Sequence, residues 1–252
     1  MRFDGKVIMI PGATSGLGKN AALGFAAAGA SVVAGGRRAE QGNELIEEIR
    51  GAGGTAVFVP TDVSQPADVR QLVAAAQQEF GGLDLAYNVA GVAGEAFTKL
   101  ADYSDDAFQE IIAINLTGMF LCMKYAIPAM LARGGGAIVN MSSVAGLGPT
   151  PGGVGYVSSK HGIVGLTKAA ALDYADQNIR INAVAPGVIH TEMMDWGISQ
   201  NPNLKAEMLA HQPGGRLGTM EEVTNAVMWL CSDAASFVTG AIFSVDGGYL
   251  LS

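Results

Sequence analysis

The sequence predicts a doubly wound α/β fold, in which one parallel sheet of seven strands is covered by helices on both faces. Short apolar runs alternate along the chain with longer segments whose apolar residues recur every three or four positions. The short runs are apolar throughout and do not alternate with polar residues, which indicates strands buried on both faces. The predicted strands span residues 7–10, 31–34, 56–59, 85–88, 137–141, 180–184 and 241–245.

The segments between the strands carry helix start signals. Ser64 precedes one helical pattern, and Ser104 opens a long one over about 104–133. Thr219 and Glu222 have the spacing of a capping box. We expect one domain over residues 1–252, with an irregular and mobile flap at about 188–218.

The composition argues against several classes of protein. The 252 residues include 15 Lys and Arg against 23 Asp and Glu, a net charge of −8, so we expect no nucleic-acid partner. The early apolar run ends at Pro11, which argues against a signal peptide, and we expect no segment to approach the roughly 20 apolar residues of a membrane span. We therefore expect a cytoplasmic protein. Cys122 and Cys231 are isolated, and the three histidines are dispersed. This pattern predicts buried structural cysteines and no metal site.

A glycine-rich turn follows the first strand and leads directly into a helix. It reads Pro11-Gly12-Ala13-Thr14-Ser15-Gly16-Leu17-Gly18. Glycines in such a turn let backbone amides and the positive helix N-terminus approach a pyrophosphate, which a Cβ atom would obstruct. The turn therefore predicts a dinucleotide site, although a tight turn without a ligand is the alternative.

The end of the second strand bears on the choice of cofactor. An acidic residue there binds the free ribose 2′-hydroxyl of NAD, whereas an arginine accommodates the 2′-phosphate of NADP. Here the sequence is Gly35-Gly36-Arg37-Arg38, without the acid and with the base. This favours NADP through Arg37 and leaves NAD possible, since both arginines could instead cap a solvated turn.

A tyrosine and a lysine are spaced to share one helical face. Tyr156 and Lys160 are four residues apart, and Ser143 lies thirteen residues before Tyr156. A lysine about 5 Å from a phenolate, at an effective dielectric of about 20, lowers the pKa of the phenol by on the order of two units. The pair is therefore a candidate general acid/base, although a Tyr and a Lys at this spacing are common on any helix and by themselves favour no catalytic role.

Taken together, these features resemble the short-chain dehydrogenase/reductase family, in its form of about 250 residues, from Lys6 to Tyr249. Pro11 and Val89 depart from the family pattern, which has Thr and Asn at these positions. The positions that carry the resemblance are Gly12, Gly16, Gly18, Asn88, Ala90, Gly91, Asn115, Ser143, Tyr156, Lys160, Pro186, Gly187, Thr191 and 245–248.

The resemblance implies a Rossmann-type fold and a role for each motif residue. Tyr156 would donate and accept the proton, and Asn115 would hold a relay water. Ser143 would hold the substrate oxygen, because the family's spacing of thirteen residues to the tyrosine selects it over the adjacent Ser142. Lys160 would lower the pKa of Tyr156 and bind the nicotinamide ribose. The full set of expected cofactor contacts is Gly12, Ser15, Gly16, Leu17, Gly18, Arg37, Asp62, Val63, Asn88, Ala90, Gly91, Tyr156, Lys160, Pro186, Gly187, Ile189 and Thr191.

The implied function is hydride transfer between NAD(P) and a ketone or secondary alcohol of small to medium apolar character. The family also implies a homotetramer. One alternative is a reductase of 3-oxoacyl groups on carrier protein, ranked second because Asp173 and Asp176 stand where a base would help bind an acidic carrier. A catalytically silent nucleotide-binding protein is the other. Whether Met193, Met194, Trp196 and Ile198 line a substrate pocket or pack the flap is left open.

Overall fold

The computed structural model describes residues 1–149 and 153–251. All seven predicted strands are present in one parallel sheet, which confirms the fold class. Its spatial order is β3-β2-β1-β4-β5-β6-β7, so the direction of winding reverses between β1 and β4. The strands are β1 (Val7–Pro11), β2 (Ser31–Gly36), β3 (Thr55–Pro60), β4 (Leu85–Asn88), β5 (Gly136–Met141), β6 (Ile179–Pro186) and β7 (Ile242–Val245).

The helices cover both faces of the sheet. They are α1 (Gly16–Ala27), α2 (Ala39–Gly51), α3 (Pro66–Phe80), α4 (Asp105–Ile111), α5 (Gly118–Leu131), α6 (Val154–Tyr174), α7 (Glu192–Gln200), α8 (Leu204–Ala210) and α9 (Met220–Cys231). Strand β1 sends Ile8 and Ile10 to the layer formed by α1, α2 and α9. It sends Val7 and Met9 to the layer formed by α3, α5 and α6. The two cores explain why the strands are apolar on both faces.

Two of the three predicted helix caps form. Ser104 accepts a hydrogen bond from the Ala107 amide, and Thr219 makes the full capping box with Glu222. Ser64 is not a cap, because α3 begins at Pro66, whose missing N–H suits the first helical turn. The Ser64 hydroxyl donates instead to the Asp62 carboxylate, 2.8 Å away.

The long helix predicted after Ser104 is interrupted by one π-helical stretch, Ile112–Thr117. By length and composition the continuous segment Asp105–Leu131 could cross a membrane, contrary to the expectation that no segment approaches the length of a span. More than half of its most apolar window is buried inside the protein, where Leu121, Ala126 and Met130 pack in the sheet's second layer. It is a core helix of this domain.

The flap, residues 188–218, is not irregular as predicted, because it contains α7 and α8. Thr191 caps α7 by accepting from the Met194 amide, and a bridge between Ile189 and Gly218 joins the two ends of the segment. Met194 and Leu204 are buried with Val188 in a small core of its own. Mobility of the flap stays a prediction.

Pro11 changes the hydrogen bonding of β1. The β1–β4 ladder ends at the pairing of Met9 with Ala86, although β1 continues to Pro11, which has no N–H to donate. The Pro11 carbonyl accepts instead from the Val89 and Ala90 amides, at 3.3 and 2.9 Å. The first turn therefore stays tied to the segment after β4 despite the departure from the family's threonine.

Asp84 is a buried carboxylate that ties three parts of the fold together. It is 7% exposed, accepts from the Val7 amide at 2.8 Å and pairs with Arg133 at 3.0 Å. We predict that Asp84→Ala lowers the free energy of unfolding by about 2 to 3 kcal/mol, because it leaves a buried N–H and a partly buried guanidinium unpaired. Urea titration measures this. The exposed Arg2–Asp4 pair supplies the control, and a loss in Asp4→Ala equal to that in Asp84→Ala would contradict the prediction.

Candidate active site

A cavity of about 590 Å³ opens at the carboxyl ends of the strands, beside the point where the sheet reverses its winding. This is where open parallel sheets bind ligands. The cavity brings together nearly all the residues expected to contact a cofactor. Those that line it are Gly12, Ser15, Gly16, Leu17, Gly18, Arg37, Asp62, Val63, Ala90, Gly91, Tyr156, Lys160, Pro186, Gly187, Ile189 and Thr191.

The glycine turn needs its glycines for steric reasons. A Cβ on Gly18 would lie 2.1 Å from the Gly12 carbonyl oxygen, and a Cβ on Gly12 would lie 2.7 Å from the Ala90 amide. Gly16 has a φ of +50° and borders open space. The turn thus lies flat against the segment after β4 and leaves the N-terminus of α1 open to the cavity. This cradle fits the pyrophosphate of a dinucleotide.

Arg38, which the sequence analysis did not select, joins the glycine turn to the end of β2. Its guanidinium donates to the Thr14 hydroxyl at 3.1 and 3.2 Å and also to the Ser15 hydroxyl. Arg37 is exposed and lines the cavity, as does Arg38. A Cβ on Gly36 would lie 2.6 Å from the Thr14 methyl. Thr14 therefore occupies space that an acidic side chain at position 36 would need.

Tyr156 and Lys160 lie on one face of α6, as their spacing predicts. The Lys160 ammonium is 5.3 Å from the centre of the Tyr156 ring. It is buried and donates to the Met141 carbonyl at the end of β5, 2.9 Å away. Burial lowers the pKa of Lys160 to about 8, since the charged ammonium loses hydration.

The pKa of Tyr156 differs from the sequence-based expectation. Burial raises it above the ordinary phenol value, and a hydrogen bond with Ser143 offsets part of that rise. The net lowering expected from Lys160 is therefore wrong for this arrangement. Loss of hydration penalises the phenolate more than its surroundings stabilise it.

The structure separates the two adjacent serines. Ser142 is 2% exposed, and its hydroxyl donates to the Lys160 carbonyl at 3.1 Å beneath Gly146. The Ser143 hydroxyl accepts from the Ala145 amide at 3.2 Å, which leaves its own proton to donate toward the cavity. Both serines line the cavity that Tyr156 also lines, but the Ser142 hydroxyl is engaged in holding α6, whereas the Ser143 hydroxyl keeps its proton available.

Asn115 is completely buried in the π-helical stretch, and it does not line the cavity as the described residues define it. Its side chain pairs with both backbone groups of Val92, at 2.8 and 2.9 Å, and donates to the Ser159 hydroxyl at 3.2 Å. Its amide group is therefore committed to positioning two segments. The water-holding role of Asn115 stays a prediction.

Asn88 is the expected cofactor contact outside the described lining. Its amide donates to the Asn140 side chain at 2.9 Å and is almost fully buried between β4 and β5. Asn88 and Asn140 are register partners on these two strands, so their side chains project from the same face of the sheet and the bond links the strands there. The cofactor contact of Asn88 stays a prediction.

The end of the cavity beyond Tyr156 is apolar. The sequence left open whether the apolar residues of the flap line a pocket or pack the flap. Met194 does both, since it is buried and also lines the cavity, whereas Trp196 lines the cavity and is 47% exposed. Ile198 packs against the small core of the flap, and the Met193 side chain lies outside what the structure describes. The apolar residues lining this end are Ala93, Ala96, Phe97, Val144, Val188, Met194, Trp196, Leu204, Met208 and Tyr249, with Glu192 also at the wall.

Comparisons with known proteins agree with this arrangement. A family model described as enoyl-(acyl carrier protein) reductase matches residues 12–250. A cyclohexanol dehydrogenase of Acinetobacter sp. (strain SE19) is 45% identical over 98% of this chain and 96% of its own. A 3-oxoacyl-[acyl-carrier-protein] reductase of Thermotoga maritima is 36% identical over the whole of both chains. The crystal structure of levodione reductase superposes with a TM-score of 0.94 at 33% identity, covering 100% of each chain.

The fold therefore agrees with that of a solved relative, and the sequence matches its relatives over nearly the full length of the chain. The chain belongs to the short-chain dehydrogenase/reductase family, the NAD(P)-dependent oxidoreductases of secondary alcohols and ketones.

Proposed function

We propose that this enzyme interconverts alicyclic secondary alcohols and ketones, with NADP as the preferred cofactor and Tyr156 as the acid/base. The apolar end of the cavity carries the proposal, because it meets the Ser143 and Tyr156 hydroxyls and suits an uncharged ring that bears one oxygen. The 45% identity to a cyclohexanol dehydrogenase supports the same substrate class.

In the reducing direction, the ketone oxygen accepts hydrogen bonds from Ser143 and Tyr156. A bound nicotinamide supplies the hydride. As the oxygen becomes negative, the Tyr156 phenol transfers its proton to it and solvent later restores that proton. The buried Lys160 ammonium stabilises the phenolate that forms transiently, and Ser143 holds the oxygen throughout.

Reduction of an acyl group on carrier protein remains the second candidate, supported by the 36% identity to such a reductase. It requires an acidic partner to dock at the cavity mouth. The charged residue on the flap wall is Glu192 and the net charge of the chain is −8, both of which repel an acidic partner. Retention of Ser143, Tyr156 and Lys160 argues against a catalytically silent nucleotide-binding protein.

A homotetramer in the cytoplasm is the proposed assembly and location. Large apolar side chains are exposed on α5, on α6 and around the edge strand β7, which suits association between copies of the chain. They include Phe120, Leu172, Phe237, Phe243 and Leu251. Light scattering after size exclusion should give a mass near four times 25.8 kDa, and a monomer mass would contradict it.

Tyr156→Phe should lower kcat by about 10² to 10⁴, because it removes the proton donor and leaves the ring in place. NADPH affinity should change little, since the cradle is untouched. Steady-state kinetics and fluorescence titration measure the two effects. Tyr174→Phe, on the same helix and away from the cavity, serves as the matched control. A Tyr156→Phe enzyme with more than a tenth of the parent kcat would overturn the assignment.

Cofactor preference tests the arginines after β2. A partly exposed, charge-assisted hydrogen bond to a 2′-phosphate contributes about 1.5 to 3 kcal/mol, or roughly a 10- to 150-fold preference for NADPH. Arg37→Ala and Arg38→Ala should each reduce that ratio of kcat/KM values.

The opposite preference should follow from Gly36→Asp with Arg37→Ile, but only when Thr14→Ala makes room for the carboxylate. Arg70→Ala, on α3, is the control. Equal or higher kcat/KM with NADH in the parent enzyme would make NAD the working cofactor.

Two apolar residues of the flap, Trp196 and Met194, should respond differently to substitution. Trp196→Ala should change the relative kcat/KM of bulky and small ketones and leave cofactor affinity unchanged, because its exposed ring lines the cavity. Met194→Ala removes a side chain that is only 7% exposed, so it should also lower the melting temperature. A uniform loss across the ketone panel in Trp196→Ala would indicate that Trp196 only packs the flap.

A further inference from the structure

Phe97 has an unusual backbone conformation for a bulky residue. Its φ is +66°, in the left-handed region. Elsewhere among the described non-glycine residues only Asn178 has a positive φ, and asparagine tolerates it. A phenylalanine in this conformation is strained, so the surrounding structure must impose it.

The loop before and after Phe97 is fastened at several points. Val92 is held through both backbone groups by Asn115. The Glu95 amide donates to the Tyr103 hydroxyl at 3.2 Å, and the Glu95 carboxylate accepts from the Ser104 amide at 3.1 Å. These bonds hold the loop to the start of α4, which prevents Phe97 from relaxing by a simple shift of the loop.

Core packing does not account for the strain. Phe97 is 44% exposed and belongs to none of the apolar clusters formed by the described residues. It lines the cavity. Trp196 lines the same cavity from α7 and is also about half exposed. Two partly exposed aromatic rings therefore border the substrate end from different segments.

We propose that Phe97 is a specificity-determining residue, held in a strained conformation so that its ring packs against the alicyclic ring of the substrate. This inference rests on the proposed function. A flat aromatic face gives a saturated ring a large apolar contact at little cost in conformational entropy, whereas a small acyclic alcohol reaches less of it. Phe97 should therefore separate cyclohexanol from 2-propanol.

The test compares kcat/KM for cyclohexanol and 2-propanol, with NADP, in the parent enzyme and in Phe97→Gly and Phe97→Leu. Phe97→Gly should lower the cyclohexanol value about tenfold or more and the 2-propanol value much less. Phe97→Leu keeps apolar bulk, so its kcat/KM for cyclohexanol should lie between the values of the parent enzyme and of Phe97→Gly. Leu100→Ala is the matched control, because Leu100 is 74% exposed in the same loop and outside the described cavity lining.

The melting temperature of Phe97→Gly provides a second test. Relief of backbone strain should raise it, whereas loss of a packing residue would lower it. Because glycine accepts a positive φ, Phe97→Gly should raise the melting temperature by about 2 to 4 °C. In Phe97→Gly, an unchanged ratio of the two kcat/KM values, or a lower melting temperature, would overturn the inference about Phe97 but not the proposed function. A parent enzyme that oxidises neither alcohol would overturn the proposed function as well.

Discussion

The buried amide of Asn115 links the parts of the active site that come from distant positions in the sequence. It binds the backbone of Val92, after β4, and the hydroxyl of Ser159, on α6. Ser159 in turn donates to the Tyr156 carbonyl at 2.8 Å. The π-helical stretch turns Asn115 toward both partners, as such single-turn insertions often do at functional sites. The position of Tyr156 relative to the segment after β4 depends on this chain of hydrogen bonds.

A second set of buried bonds holds Lys160. Lys160 donates to the Met141 carbonyl, and its own carbonyl accepts from Ser142, so both ends of the residue are attached to the carboxyl end of β5. The same burial that makes these bonds strong also raises the pKa of Tyr156 and lowers that of Lys160. The site thus keeps Tyr156 protonated, which suits proton donation to a ketone. The buried site disfavours the Tyr156 phenolate in the absence of ligands. The phenolate must therefore be stabilised within the complex with substrate.

Local patterns predicted the frame of the molecule well. All seven strands follow from continuous apolar runs, and the glycine turn and the Tyr156–Lys160 pair follow from spacing within one local segment. Ser143, which follows β5 and so lies apart from Tyr156 on α6, was selected only through the family resemblance. The features that were missed depend on contacts between elements. Nothing in the sequence near Arg38 indicates that it reaches Thr14, and α7 and α8 are too short to stand out from a loop pattern. The positive φ of Phe97 occurs in a loop that is tied to the start of α4 by bonds of Glu95 to Tyr103 and Ser104, and no local pattern in the sequence reveals it.

Transfer of a labelled hydride tests the central claim most directly. The enzyme would be supplied with NADPH carrying deuterium at the transferring position of C4, together with cyclohexanone, and the cyclohexanol would be examined by mass spectrometry and NMR. We expect one deuterium per molecule, at the carbinol carbon, since the hydride moves directly from nicotinamide to the carbonyl carbon. Cyclohexanol without the label, or no cyclohexanol with either deuterated NADPH or deuterated NADH, would contradict the account.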